Sequence, residues 1–128
     1  MSVKHPIISV TGSSGAGTTT VKHTFAQIIR REGVNAVFIE GDAFHRFDRE
    51  AMKNEMAKAT KSGKAHLSHF GPEANLLEEL EAVFKGYADH GTGKTRHYVH
   101  DAEEAEALSC APGTFTPWAS FPEDSDLL

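Results

Sequence analysis

The stretch Gly12-Ser13-Ser14-Gly15-Ala16-Gly17-Thr18-Thr19 follows directly on the apolar run Ile7-Ile8-Ser9-Val10. Backbone N–H groups can wrap around phosphate oxygens only where the chain turns sharply without Cβ clashes, and glycines supply that freedom. A helix starting at the end of such a loop adds unpaired N–H groups and a partial positive charge. The frame is that of a phosphate-binding loop, with Thr18 where lysine is usual and Thr19 supplying the hydroxyl at the Mg²⁺-coordinating position. Glycines at this spacing can also be no more than a tight strand-to-helix turn. The strand before and the helix after favour phosphate binding and a nucleotide-dependent phosphoryl-transfer fold.

The flanks carry the same pattern onward. Val21, Phe25, Ile28 and Ile29 recur at helical spacing through Arg31, and Arg30, Arg31 and Gly33 suit the end of that helix. Ala36-Val37-Phe38-Ile39 reads as a second buried strand, making a right-handed βαβ unit with parallel strands. The expected fold is α/β: a P-loop kinase-like parallel sheet with flanking helices. Residues 42–62 read as helical, 63–71 as irregular, and Pro72 as the first turn of an amphipathic helix carrying Leu76, Leu77, Leu80, Val83, Phe84 and Tyr87. His97-Tyr98-Val99-His100 suits a short strand, and the acidic chain after Asp101 turns loop-like around Pro112-Gly113. Leu127-Leu128, after the polar Glu123-Asp124-Ser125-Asp126, reads as the opening of another core strand. On this reading residues 1–128 are the truncated, N-terminal part of a single kinase domain.

Ala88-Asp89-His90-Gly91-Thr92-Gly93-Lys94-Thr95 ends in the Gly-Lys-Thr of the standard phosphate loop, yet its context is wrong. A helix precedes it, Ala88 replaces the first glycine, and nothing after it starts a helix. It reads as a basic flexible loop, from which Lys94 or Arg96 reaches toward a phosphate. Lys22, one turn after Thr18, is a candidate for the cation that the true loop lacks.

A net charge of −5 over 128 residues argues against nucleic acid as a partner. No apolar run is long enough for a membrane span, and the N-terminus lacks the features of a signal peptide, so a cytoplasmic location is expected. Between Phe44 and Lys64, however, six cations face three anions, a local basic balance suited to a small phosphorylated ligand or to a solvated helix face. The single Cys110 excludes an internal disulfide and a cysteine zinc cluster.

Asp42, just after the second strand, falls on the sheet edge where ligands bind in parallel α/β folds, so it is expected beside the phosphate loop. There a carboxylate can take the proton of an attacking hydroxyl; alternatively it caps the next helix. His45, Arg49 and Lys53 follow at i, i+4 and i+8, and on a helix they form one cationic stripe suited to the phosphate of a sugar phosphate.

These features in combination resemble phosphoribulokinases of the bacterial type. The resemblance is carried by Pro6 to Thr18, including the threonine in place of lysine, and by Glu40-Gly41-Asp42-Ala43-Phe44-His45-Arg46. It continues through Ser68-His69-Phe70, Glu73-Ala74-Asn75, Arg96 to Asp101, and Ala111-Pro112-Gly113-Thr114-Phe115. It runs along the whole chain but covers about the N-terminal half of a family member, and the family's second acidic motif is absent. The resemblance implies Mg²⁺- and ATP-dependent phosphorylation of ribulose 5-phosphate to ribulose 1,5-bisphosphate in carbon fixation, by a homo-oligomer responsive to NADH and AMP. It implies Asp42 as catalytic base, His45 and Arg49 as sugar-phosphate contacts, Tyr98 and His100 on a mobile substrate-proximal loop, and Ser14, Thr18 and Thr19 in the nucleotide loop. The redox cysteine of the plant-type loop is missing, so no thioredoxin switch is expected. The 128-residue chain alone is expected to be weakly active or inactive. The alternatives are a related uridine- or pantothenate-type kinase and a non-catalytic nucleotide-binding module.

Overall fold

Backbone pairing around the last residues of the chain sets the first part of the architecture. The computed structural model describes residues 2–13, 15–64 and 67–128. They divide into two units, Met1–Phe38 with Val83–Gly93 and Ser120–Leu128, and Ile39–Ala82 with Lys94–Ala119. The elements in chain order are α1 (Thr18–Arg31), a 3₁₀ turn (Gly41–Phe44), α2 (Arg49–Lys61), α3 (Leu77–His90), β1 (Lys94–Thr95), α4 (Ala102–Leu108) and β2 (Ala119–Ser120).

In the first unit, Leu128 donates its N–H to the Pro6 carbonyl (3.2 Å), and its carbonyl accepts from Ile8 N–H (2.8 Å). That alternation is the signature of a parallel ladder. On the other side Val37 N–H donates to Leu127 O at 2.8 Å, and Ala36 and Leu127 form a parallel bridge. The expected extension at Leu127-Leu128 is therefore present, and it lies between the two earlier extended segments. Asp126 ties this insertion down: its N–H reaches Asn35 O (2.7 Å), and its carboxylate accepts Asn35 N–H (2.9 Å). Helix α1 ends as expected, with Gly33 at φ 69°. The N–H groups of Gly33 and Val34 return to Arg30 O and Ile29 O, which satisfies carbonyls the helix end would otherwise leave open. Tyr87, Phe121 and Leu128 are the buried apolar residues of this unit.

The second unit is built around Ala43, Phe44, Met52, Ala74 and Val99, all buried. His45 and Asn75 form an antiparallel bridge flanked by Arg46 N–H to Ala74 O (2.8 Å) and Leu76 N–H to Phe44 O (2.7 Å). The strand expected at 97–100 pairs antiparallel with 113–116: Tyr98 bridges Phe115, and Val99 N–H donates to Thr114 O at 2.9 Å.

Five local expectations are corrected. Ala36-Val37-Phe38-Ile39 is not a buried strand: it forms one parallel bridge, at Ala36, and none of its four residues is buried. Residues 42–62 are not one helix: the 3₁₀ turn ends at Phe44, His45 is extended (φ −62°, ψ 138°), and α2 starts at Arg49. Asp48 caps α2 by accepting Ala51 N–H at 2.9 Å, a strong local stop-and-start signal. Pro72 lies in a turn, and α3 begins only at Leu77. The acidic stretch after Asp101 is helix α4, capped by Asp101 through Glu104 N–H at 2.9 Å. The Ala88–Thr95 stretch is the end of α3 running into β1, not a flexible loop; as expected, it does not have the strand–loop–helix context of a phosphate loop.

Candidate functional site

The first unit carries the glycine-rich turn of residues 12–19. Gly15 and Gly17 adopt φ 80° and 81°, a left-handed conformation that L side chains rarely tolerate, and Gly17 stands at the N-cap of α1. Ala16 N–H closes the turn onto Ser13 O at 3.0 Å. Gly12 is crowded for a different reason: a Cβ there would stand 3.1 Å from both Ala16 Cβ and Thr18 Cγ2, a tight contact on each side. Among the described residues no side chain caps the first turn of α1, and Thr18 and Thr19 at its start are exposed. A helix end of this form favours an anion. Ser14 lies outside the described residues.

The second unit gathers five of the remaining candidates. Asp42, in the 3₁₀ turn, does not cap α2, since Asp48 does that; its carboxylate sits between two imidazoles instead. His45 Nε2 is 3.2 Å from Oδ1, and His100 Nε2 is 2.9 Å from Oδ2. The Tyr98 ring packs edge-on against both, with centroids 6.3 Å from His45 and 5.0 Å from His100. Arg49 Nη2 donates to the His100 carbonyl at 2.8 Å, joining the start of α2 to the same cluster. A cavity of about 110 Å³ opens here, lined by His45, Phe47, Met52, His69, Ala74 and Tyr98.

The proposed stripe of His45, Arg49 and Lys53 on one helix does not form, because His45 precedes α2 in extended backbone. His45 and Arg49 reach the cluster from separate elements. Lys53 is exposed, one turn along α2 from Arg49. Arg96, expected in a flexible basic loop, is engaged elsewhere. Its guanidinium donates to Ala43 O (2.8 Å) and His45 O (2.7 Å) and stacks over Phe115, 3.6 Å from the ring centroid. It fixes the backbone that carries Asp42 and His45.

The electrostatics follow from these contacts. The hydrogen bond from His45 lowers the Asp42 carboxyl most; partial burial opposes it and His100 reinforces it, leaving the group at about 2. Asp42 is thus a carboxylate throughout the neutral range. His45 is raised above the ordinary imidazole value, chiefly by Asp42. For His100 burial works downward, but hydrogen bonds to Asp42 and Glu104 outweigh it and the net direction is up. Glu104 is lowered by the backbone and side chain of His100.

Asn75 and Glu104 belong to this cluster and went unread in the sequence as polar partners. Glu104 carried a signal: it lies four residues after His100, and Asp101-x-x-Glu104 is a helix-start pattern. Asn75 carried none of its own. Among the described residues no group of three or more His, Cys, Asp or Glu side chains could hold a metal ion, and no helix is long and apolar enough to cross a membrane.

A phosphate-binding turn ahead of α1, with parallel strand pairing around it, is the fold of P-loop kinases. The Phosphoribulokinase / Uridine kinase family model matches residues 7–128, and the chain belongs to that family. It is 63% identical over 128 residues to phosphoribulokinase 1 of Cereibacter sphaeroides and 59% identical over 125 residues to the phosphoribulokinase of Nitrobacter vulgaris. Those matches take in all and 98% of this chain, but 44% and 43% of the relatives. The chain therefore spans less than half the length of the curated relatives it matches. The solved phosphoribulokinase from Rhodobacter spheroides superposes with a TM-score of 0.82 at 57% identity, over 97% of this chain and 41% of that one.

Proposed function

We propose that this chain carries the nucleotide loop and the acceptor-binding cluster of a phosphoribulokinase, which transfers the γ-phosphoryl group of ATP to ribulose 5-phosphate and yields ribulose 1,5-bisphosphate. The observation that carries the reading is the Asp42 carboxylate, held ionised between His45 and His100. Phosphoryl transfer through a loose transition state asks more of positioning and charge than of base strength. A weakly basic carboxylate fits that need: it orients the attacking hydroxyl and accepts its proton. His45, Arg49, Tyr98 and His100 supply cationic and hydrogen-bonding groups for a sugar phosphate, and Lys53 extends the cationic edge along α2.

In the nucleotide loop, Gly12, Ser13, Ser14, Gly15, Ala16, Gly17 and Thr18 surround the phosphates, and Thr19 offers a hydroxyl to Mg²⁺. One neutral oxygen suits an ion that keeps several waters and takes its remaining oxygens from the nucleotide phosphates. When bound, the ion supplies charge neutralisation at those phosphates. The same reading takes residues 1–128 as the N-terminal part of one kinase domain, in a cytoplasmic homo-oligomeric enzyme of carbon fixation. The names of the relatives and the share of their length that is matched support it.

Calorimetric titration of the chain with Mg·ATP and with ribulose 5-phosphate, together with a bisphosphate-formation assay, tests the proposal. Binding of both ligands, with sugar-phosphate affinity reduced at least tenfold by His45→Ala or Arg49→Ala, is the expected result. Preference for uridine or pantothenate would overturn it in favour of another kinase. Mg·ATP binding without affinity for any of these acceptors would leave only a nucleotide-binding module.

A further inference from the structure

The hydrogen bonds around Asp42 continue past the two histidines, and their donor–acceptor logic is closed. Asn75 Nδ2 donates to His69 O and Gly71 O, both at 2.8 Å. Carbonyls only accept, so the amide has one orientation and presents Oδ1 to His45 Nδ1 at 2.7 Å. That ring nitrogen must carry a proton. The other nitrogen of His45 faces the Asp42 carboxylate, which also only accepts. His100 repeats the arrangement, with Nδ1 3.0 Å from Glu104 Oε2 and Nε2 facing Asp42. Glu104 is itself held by the His100 backbone N–H at 2.8 Å. A neutral imidazole has one N–H and would turn a lone pair toward an acceptor on one side. Two imidazolium rings satisfy every contact, and their charges balance Asp42 and Glu104.

We propose that Asn75 and Glu104 are positioning residues: by occupying the Nδ1 sides of His45 and His100 they keep both rings doubly protonated, so that Asp42 stays a carboxylate aligned between two cationic donors. Neither residue touches Asp42. The link to phosphoryl transfer rests on the base assignment made above, whereas the protonation pattern stands on the geometry alone. The other groups facing the rings are few. Arg96, bonded to the His45 carbonyl, disfavours charge on that ring. Tyr98 packs on both rings, and His69 lines the same cavity as His45. Arg49 meets the His100 carbonyl, and Asp101 lies beside Glu104.

The test is an NMR titration of the ¹⁵N-histidine-labelled chain, which reads the protonation of each ring nitrogen without any need for turnover. In the unaltered chain both rings are expected to be doubly protonated at pH 6.5. Glu104→Ala should weaken the proton affinity of His100 about tenfold, the scale of one charge-assisted hydrogen bond, and change His45 much less. Asn75→Ala should do the same to His45 and spare His100. Glu104→Asp should restore part of the His100 affinity. If Asn75→Ala disturbs the 69–75 turn, which the backbone amide shifts of those residues report, Glu104→Ala leaves that turn intact and carries the test at His100, where an unchanged titration would overturn the proposal. Histidines that titrate alike in all variants, or a wild-type His45 or His100 with an unprotonated Nδ1 at pH 6.5, would overturn the proposal. A separate assay of Asp42→Asn tests the base: persistent turnover with the expected histidine shifts removes the base assignment and supports the positioning role.

Discussion

The two units hold their candidate residues by different means. In the unit of the phosphate loop the geometry is written in the backbone: glycine dihedrals, a turn hydrogen bond, and a few parallel ladder bonds to Leu127 and Leu128. Its helix α1 has no buried residue, and Val21, Phe25 and Ile28 on it are 36%, 38% and 45% exposed. In the unit of Asp42, side chains do the holding. Five of them, Asn75, His45, Asp42, His100 and Glu104, stand in a row, joined by hydrogen bonds except between His45 and Asp42, which meet as an ion pair at 3.2 Å, with Arg96 clamping the carrying backbone. A phosphate loop can rely on the main chain because its ligand is bound through N–H groups. On the proposed function, a base and its neighbours need defined protonation states, and here side-chain partners, burial and backbone N–H groups set them together.

That contrast can be broken by substitution. The largest effect is expected at Asp42: on the proposed function, Asp42→Ala lowers bisphosphate formation by about 10²–10⁴-fold, the usual worth of a positioned base. Steady-state turnover of the enzyme checks it, and Mg·ATP affinity should not follow. Arg96→Met removes two hydrogen bonds to carbonyls and a ring stack, and should destabilise the second unit by about 2 kcal/mol in a denaturant titration. Arg96→Lys should recover little, because an ammonium cannot span both carbonyls and stack.

Glycine changes sharpen the comparison. Gly113 has φ 78°, and an added Cβ would lie 2.9 Å from Arg49 Cβ. Gly113→Ala should cost about 1–2 kcal/mol and disturb Arg49, read as an equal loss in chemical stability and a shifted Arg49 side-chain resonance. Gly17→Ala strains only the phosphate loop, so Mg·ATP affinity should fall while the His45 and His100 titrations stay unchanged.

The smallest effect is on stability as a function of pH. Asp42 is lowered from 3.8 to about 2 on folding, so its contribution is full above pH 4 and is lost as the pH falls toward 2. His45 and His100 are raised above 6.5, so theirs is full below 6.5 and fades as the pH rises through the raised values. A plateau between about pH 4 and 6.5, falling on both sides and lost on the alkaline side in a His45→Gln, His100→Gln double variant, is the expected denaturation profile.

Much of the first unit was legible because its rules are local. Helix α1 and its Gly33 ending follow from apolar spacing and the terminal glycine, and the strand character of Leu127-Leu128 follows from two apolar residues after a polar loop. The second unit was read less well. The helical pattern from Met52 to Lys61 continues backward over His45 in the sequence, and Asp48, a strong N-cap, is the one local signal that breaks it. Helix α4 was hidden by its acidity, although Asp101 and Glu104 mark its start. Arg96 looked like a ligand-facing cation because nothing in the neighbouring residues shows the carbonyls of Ala43 and His45.

By itself the sequence determined the glycine-rich turn and the helix that follows it, Asp42 as the residue to watch and the family, because these depend on residue types at short, fixed spacing. Only the tertiary structure decided that 127–128 lies between the two earlier extended segments, that Arg96 serves the backbone, and that Asn75 and Glu104 meet the Nδ1 sides of the two histidines. The partners of Asp42 stand up to 58 residues away along the chain. A protonation state is set by whatever lies within hydrogen-bond distance, and chain order does not reveal that.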